Sequence, residues 1–351
     1  MKIIFKRTTP TYRNQLTTQQ VMLYLTATLV VVSLFSVGYY FTLGADYGIK
    51  ALLMIIASVV AAYLCEAGYF YLLKEKDIKK AVNNSFPYVT AILFALILPI
   101  GTPYYVVIFG SIFSILIGKL LFGGFGQNIF NPALIGRVFV MMSYGDKLTA
   151  VLPGKAVDGV ASATPTTIMS MGSWMGDSNI SLANLYLGFY KGSIGETFAV
   201  VIIIAGVFLA MKKVLDWRLP VFYIGTAFVI AFIAGMTHGL SPLHFALVHI
   251  GIGGLVFGGI FMLTDPVTSP VDPFGKILFA VGAAFFTMLL RFRSNMPEGV
   301  LYSILIMNML TPMIDKYTVK PTNKDESRKL IIVIAAMLVC SLLIALVWKG
   351  A

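Results

Sequence analysis

The chain has 351 residues, 58% hydrophobic and only 12% charged, with a formal net charge of +11. A soluble domain carries roughly 25% charged residues, about twice this share, so a soluble enzyme or binding module is excluded. Apolar runs long enough to cross a ~30 Å hydrocarbon core recur along almost the whole length, and the expected class is an all-α polytopic membrane protein.

Residues 1–20 hold Lys2, Lys6, Arg7 and Arg13 with no acid. The first apolar run is of spanning length, so no cleavable signal peptide is expected. Spans are predicted at 21–43 and 49–73, followed by a connector at 74–87 rich in lysine. The run 88–99 is too short to cross comfortably, and 104–122 is full length. A glycine-rich break at 122–132 precedes a short span to about residue 143. A long polar segment, 144–192, separates the halves. Further spans are predicted at 193–211, 219–236, 244–263, 275–290 and 299–314. A basic stretch at 315–329 leads to a last apolar run, 330–348. The expected organisation is a five-helix membrane repeat over 1–143, a loop over 144–192 and a second five-helix repeat over 193–314. A basic segment with an extra apolar helix over 315–351 completes the chain, giving about ten transmembrane helices before that addition. Cys65 and Cys340 lie inside apolar runs with no metal or redox spacing and read as small hydrophobes.

The location of the charge decides what the basicity means. The N-terminus, the 74–80 connector, the connector with Lys212, Lys213 and Arg218, and the 315–329 stretch are the basic segments. Alternating the spans puts all four on one side, expected to be the cytoplasm, and places 144–192 outside. Arg291 and Arg293 fall on the outside and go against the rule. The positive charge is thus topological, and nucleic acid is rejected as a partner.

The halves read as a repeat. LILPIGTP at 96–103 and MLTDPVTSP at 262–270 each close a short apolar segment and precede a full span. Asn131–Pro132 follows in the first half, and Asn295 with Pro297 at a similar distance in the second. Five spans per half is an odd number, so the halves should be inverted relative to each other. Inverted repeats with discontinuous helices typically bind something near the midplane.

Three segments carry candidate chemistry. In 122–137, FGGFGQNIFNPALIGR, Gly123, Gly124 and Gly126 admit backbone conformations closed to other residues. Asn128 and Asn131 supply paired amides where unsatisfied polar groups are expensive. Pro132 should start a helix, with Arg137 on its second turn, making a polar, anion-tolerant pocket. The same residues also suit an interfacial loop with glycines for packing. In 262–273, MLTDPVTSPVDP, Asp265 could coordinate a cation or orient a ligand, or cap the next element from a Pro-rich turn. The third segment, DGVASATPTT at 158–167, is a small-residue loop without chemistry of its own. His238, His244 and His249 are six and five apart, outside metal spacing, and read as structural. Glu66, inside the second span, is either an ion-pathway residue or an interfacial acid beside Tyr69 and Tyr71.

In their placement along residues 1–320, these three motifs resemble the RnfD family, a membrane component of the Rnf electron-transport complex. The related NqrB component of the sodium-pumping NADH:quinone reductase shares that pattern. The short arm before Val21 looks more like the Rnf member. The resemblance implies an FMN attached through its phosphate to a threonine hydroxyl by a flavin transferase. The transferase motif needs an Asp six residues before the Thr, then small residues and Ala. Asp158, Ala161, Ser162 and Ala163 fill it before Thr164, with Ser162 where glycine is usual, whereas Thr166 and Thr167 lack the spacing. That transferase works outside the cytoplasm, in agreement with the charge-derived topology. The resemblance also implies a non-covalent riboflavin within the helices, near Asn128 and Asn131, with Gly123, Gly124, Gly126 and Arg137 as further pocket residues. The 330–348 run goes beyond the usual end of the pattern and reads as an eleventh span.

The implied function is a flavin-carrying electron-transfer component of an ion-translocating oxidoreductase complex. Electron flow between reduced ferredoxin and NAD would be coupled to moving Na⁺ or H⁺. No nucleotide fingerprint is present, so NAD and ferredoxin should bind partner subunits, with membrane lipid around the helices. A solute channel or transporter with inverted repeats is the rival from another class, and the transferase motif speaks against it.

Overall fold

The computed structural model describes residues 16–148, 181–188, 192–293 and 299–318, together with 332, 335–337, 339–341 and 343–344. The transferase motif with Asp158, Ser162, Ala163 and Thr164 lies outside the described residues.

The first half holds α1 (Thr18–Leu43), α2 (Ala45–Leu72), α3 (Ile78–Ser85), α4 (Pro87–Leu96), α5 (Tyr104–Leu116) and α6 (Pro132–Tyr144). A one-turn 3₁₀ helix, Leu120–Phe122, prolongs α5. After the short α7 (Leu182–Leu187), the second half holds α8 (Ala199–Met211), α9 (Arg218–Thr237), α10 (Pro242–Gly251) and α11 (Leu255–Phe257). A π-turn, Gly258–Met262, continues α11. The last elements are α12 (Pro273–Arg293) and α13 (Gly299–Thr318). Among the described residues, five helices are long and apolar enough to cross a membrane: α1, α2, α9, α12 and the stretch Tyr104–Phe122 containing α5. The pair Pro242–Gly251 and Leu255–Met262 is together long and apolar enough for a sixth span but is bent by 66°, the geometry of a broken span or a re-entrant loop, where one span over 244–263 had been expected. Gly251, Gly253 and Gly254 sit at that break, and Gly253 has a φ of +68° that other residues resist.

Local signals fix the helix starts. Thr17 and Gln20 form a reciprocal capping box at α1. Pro87, Pro132, Pro242 and Pro273 each open a helix, where a missing N–H is harmless. Asp272 caps α12 by accepting from the Phe274 and Gly275 N–H groups at 2.9 and 3.2 Å. The carboxylate that caps this element is therefore Asp272, seven residues beyond Asp265.

The two halves repeat one packing scheme. In the first, α2 packs on α5 and α5 on α6; in the second, α9 packs on α12 and α12 on α13. Each row is tied by hydroxyls. Ser58 meets Ser111 at 2.7 Å, and Ser114 donates to the Pro132 carbonyl at 2.6 Å. Tyr223 meets Thr287 at 2.9 Å, and Thr287 meets Ser303 at 2.6 Å. In an apolar surrounding such bonds contribute about 0.6–2 kcal/mol each. A Cβ at Gly136 would lie 2.9 Å from the Gly110 carbonyl, so glycine permits the close α5–α6 approach.

The connectors gather on two opposite faces. On one, Gln19 reaches Asn84 at 3.4 Å, Lys212 lies over the Tyr24 ring, and Lys276 binds Asp216 at 3.0 Å. On the other, Lys50 lies 3.7 Å from the Tyr104 ring centre and Tyr105 packs on Tyr144. Described residues between 332 and 344 are helical, and Thr226 on α9 reaches the Met337 sulfur at 3.3 Å.

Arg291, which breaks the charge rule, is 1% exposed. It donates to the His249 carbonyl and, at 2.9 Å, to that of Ile252, at the α10–α11 break. The guanidinium takes the place of the intrahelical donors that the break removes and complements the negative end of α10. The His249 ring packs against Phe245 and Phe292 at 4.3 and 5.2 Å, an aromatic core position.

Arg291→Ala strands two buried carbonyls at about 1–3 kcal/mol each, so its Tm in detergent should fall clearly. Arg291→Lys should recover only part, lacking the planar fork. Burial raises the Asp216 carboxyl, but the hydrogen bonds from Lys276 and the Arg218 N–H and both cations outweigh it and hold it below the usual range. The clasp from the α8–α9 loop to α12 therefore stabilises fully above the unfolded Asp pKa and is lost as pH falls through the depressed value. Tm against pH should show a steeper acid limb in the wild type than in Asp216→Asn.

Candidate functional site

The two motif-bearing loops, far apart in sequence, meet in space. Asn131 caps α6, its Oδ1 accepting from the Ala133 N–H at 3.1 Å. Its Nδ2 donates to the Met262 carbonyl at the end of α11 at 3.3 Å, and its backbone N–H donates to Asn308 Oδ1 on α13 at 3.3 Å. Asn308 and Thr311 donate in turn to the Thr268 carbonyl at 3.4 and 2.8 Å. Asn128 donates to the Phe130 carbonyl at 3.0 Å and, across a long 3.5 Å, to Asp265 Oδ2. The loop before α6 thus lies against the loop after α11, one from each half of the chain.

A narrow cleft opens beside this junction, with a cavity volume of about 90 Å³ and an open mouth. The enclosed part is smaller than the ~300–1,000 Å³ of small-molecule pockets, and further room lies in the open mouth. Its polar lining is Thr90, Lys119, Asn128, Asn131, Thr264 and Asp265, and aromatic walls come from Phe86, Phe125 and Phe261. Burial pushes the Asp265 carboxyl up, against the Val267 N–H and the Asn128 amide, which pull it down. Flat apolar walls with amides and one charge of each sign suit a planar, polar-edged ring system.

Of the sequence candidates, Asn128, Asn131 and Asp265 line the cleft, and Gly123, Gly124, Gly126 and Arg137 are not among its lining residues. The three glycines have φ of +112°, +97° and +82° and turn the chain back from α5, which brings Asn128 to the junction. Arg137 is buried on the second turn of α6. Glu66 is also off the lining, paired with Lys119 at 2.7 Å.

Sequence reasoning passed over Lys119 and Phe86. Lys119 reads as one more basic residue at a span end. Phe86 lies between α3 and α4 with a left-handed φ of +54°, which a bulky residue rarely adopts. The proline after it disfavours the right-handed helical conformation, and that dipeptide is the signal that could have found the break. The bend lets the Phe86 ring face the Phe125 ring at 5.3 Å in the cleft wall, and strain of this kind gathers at ligand sites.

Comparison with known proteins bears on the whole of this architecture. The chain is 38% identical over 284 residues to the D subunit of the proton-translocating ferredoxin:NAD(+) oxidoreductase complex of Clostridium ljungdahlii, covering 78% of this chain and 84% of that relative. The D subunit of the Na(+)-translocating ferredoxin:NAD(+) oxidoreductase complex of Acetobacterium woodii is 36% identical over 277 residues, covering 78% and 83%. The B subunit of the Na(+)-translocating NADH-quinone reductase of Ectopseudomonas mendocina is 33% identical over 273 residues, covering 76% and 67%. The model of the NQR2, RnfD, RnfE family matches residues 6–324, a stretch that takes in both loops of the cleft, and the chain belongs to that family.

Proposed function

We propose that this chain is the flavin-carrying electron-transfer component of an Rnf-type complex. Electron flow between reduced ferredoxin and NAD on partner subunits is coupled there to translocation of Na⁺ or H⁺. The observation that carries the reading is the cleft where the Asn128–Asn131 loop meets Asp265, because its chemistry fits a riboflavin ring. Asn128, Asn131 and Asp265 offer donors and acceptors to the polar edge, and Phe86, Phe125 and Phe261 cover the apolar faces. Thr164 is the proposed attachment site of FMN, with Asp158, Ser162 and Ala163 as the remainder of the transferase motif. The flavins supply the electron chemistry, and the chain binds, orients and shields them. The N-terminus and the basic connectors lie in the cytoplasm in this reading, and 144–192 lies outside, where the flavin transferase can reach it.

The likeness to a component of NADH-quinone reductase favours a second reading in which the acceptor is a quinone. Assaying the purified complex for ferredoxin or quinone turnover separates the two.

Denaturing electrophoresis should give a fluorescent flavin band for this chain that requires the transferase and vanishes in Thr164→Ala. A dark band with active transferase would defeat the covalent assignment. Asn131→Ala removes an amide of the cleft as well as a helix cap of about 1 kcal/mol. Released riboflavin should then fall about tenfold or more, the loss of roughly one charge-assisted or buried hydrogen bond, while the covalent band persists. Full riboflavin retention would remove Asn131 from the site.

A further inference from the structure

Two buried charges of the first half form a pair. Glu66 on α2 is 0% exposed and Lys119, just past α5, is 3% exposed. Lys119 Nζ lies 2.7 Å from Glu66 Oε1 and also donates to the carbonyl of Ser85, the last residue of α3. An ammonium has three donors, and the third has no partner among the described residues. Glu66 Oε2 has none either. Burying two ions carries a desolvation penalty that can exceed their attraction, and apolar replacements of such pairs are often neutral or stabilising. Stability alone is therefore a weak reason for the pair.

Position supplies a stronger one. Lys119 lines the cleft, whereas Glu66 stands behind it, off the lining. The Lys119 ammonium is 5.6 Å from the centre of the Phe125 ring, itself a wall of the cleft. Lys119 and Asp265 are the charged side chains of that lining. Of the two, the ammonium favours added electron density on a ligand and the carboxylate opposes it.

We propose that Lys119 is the counter-charge for the ring bound in the cleft, and that Glu66 attenuates this charge by sharing the ammonium. The pair then sets how strongly the cleft prefers the reduced over the oxidised ligand. This inference rests on the reading of the cleft as a flavin site. In a low-dielectric surrounding, a nearby cation stabilises added negative charge far more than it does in water. Removing Lys119 therefore weakens the preference for the reduced ring. Removing the charge of Glu66 leaves the ammonium wholly to the cleft and strengthens that preference. The two effects have opposite signs, which a packing role alone does not produce.

The experiment is an equilibrium redox titration of the non-covalent flavin, read by visible absorbance. It uses the full chain purified in a Thr164→Ala background so that covalent FMN does not contribute. Lys119→Met should lose about tenfold of the preference for the reduced form, a fall of about 59 mV for a one-electron couple or 30 mV for a two-electron couple. Glu66→Gln should shift the potential upward, and Lys119→Arg should stay near the parent value. Glu66→Gln combined with Lys119→Met, which strands no buried ion, should follow Lys119→Met. Potentials that stay fixed, or that move the same way in both single variants, overturn the inference with the flavin site intact. Loss of flavin from the arginine, methionine and double variants alike marks the pair as structural and also overturns it. A parent chain that holds no non-covalent flavin overturns the reading of the cleft itself, and the inference with it.

Discussion

A helix that stops partway through an apolar slab leaves backbone donors and acceptors without partners, and each such group costs several kcal/mol unless another part of the protein supplies one. This constraint organises the molecule. The carbonyls at the α10–α11 break are held by Arg291. The end of α11 is held by the Asn131 amide, and the loop after it by Asn308 and Thr311. At the corresponding end of α4, the carbonyls of Leu96 and Leu98 accept from the backbone of Gly195 and Ile194 at 2.7 and 3.0 Å. Several of these partners come from the opposite half, so satisfying the breaks and joining the halves are one event.

The cleft follows from that arrangement. Two short helices end near each other, and their loops cannot fill space as continuous helices would. The loops bring amides and a carboxylate because those groups were needed to close the backbone. The same amides then face open space beside aromatic walls, where they can serve a ligand. The left-handed Phe86 contributes in the same way, since the turn that ends α3 also swings a ring into the wall.

Much of this was legible in the sequence. The strings LILPIGTP and MLTDPVTSP pointed to two helix ends that other parts of the chain close, and asparagines beside Pro132 marked a helix start inside a polar junction. Charge counting identified Arg291 as an exception without saying why, because its carbonyl partners lie about forty residues away in sequence. The break inside 244–263 was hidden by continuous hydrophobicity, although its cluster of glycines was visible. Lys119 was passed over because a basic residue at a span end reads as a topological marker. What makes it different is Glu66, 53 residues earlier, and no local pattern links them.

The two closures of the broken helices differ in how they respond to genetic change. At α4 the donors are main-chain N–H groups of Ile194 and Gly195, which every residue but proline provides. At α11 they are the side chains of Asn131, Asn308 and Thr311, each removable by a single codon. The α4 closure is thus limited by space, since a Cβ at Gly195 would lie 2.6 Å from that of Leu96, whereas the α11 closure depends on side-chain identity. At the face bearing the cleft, a single side-chain change therefore opens the backbone closure and alters the cleft lining together.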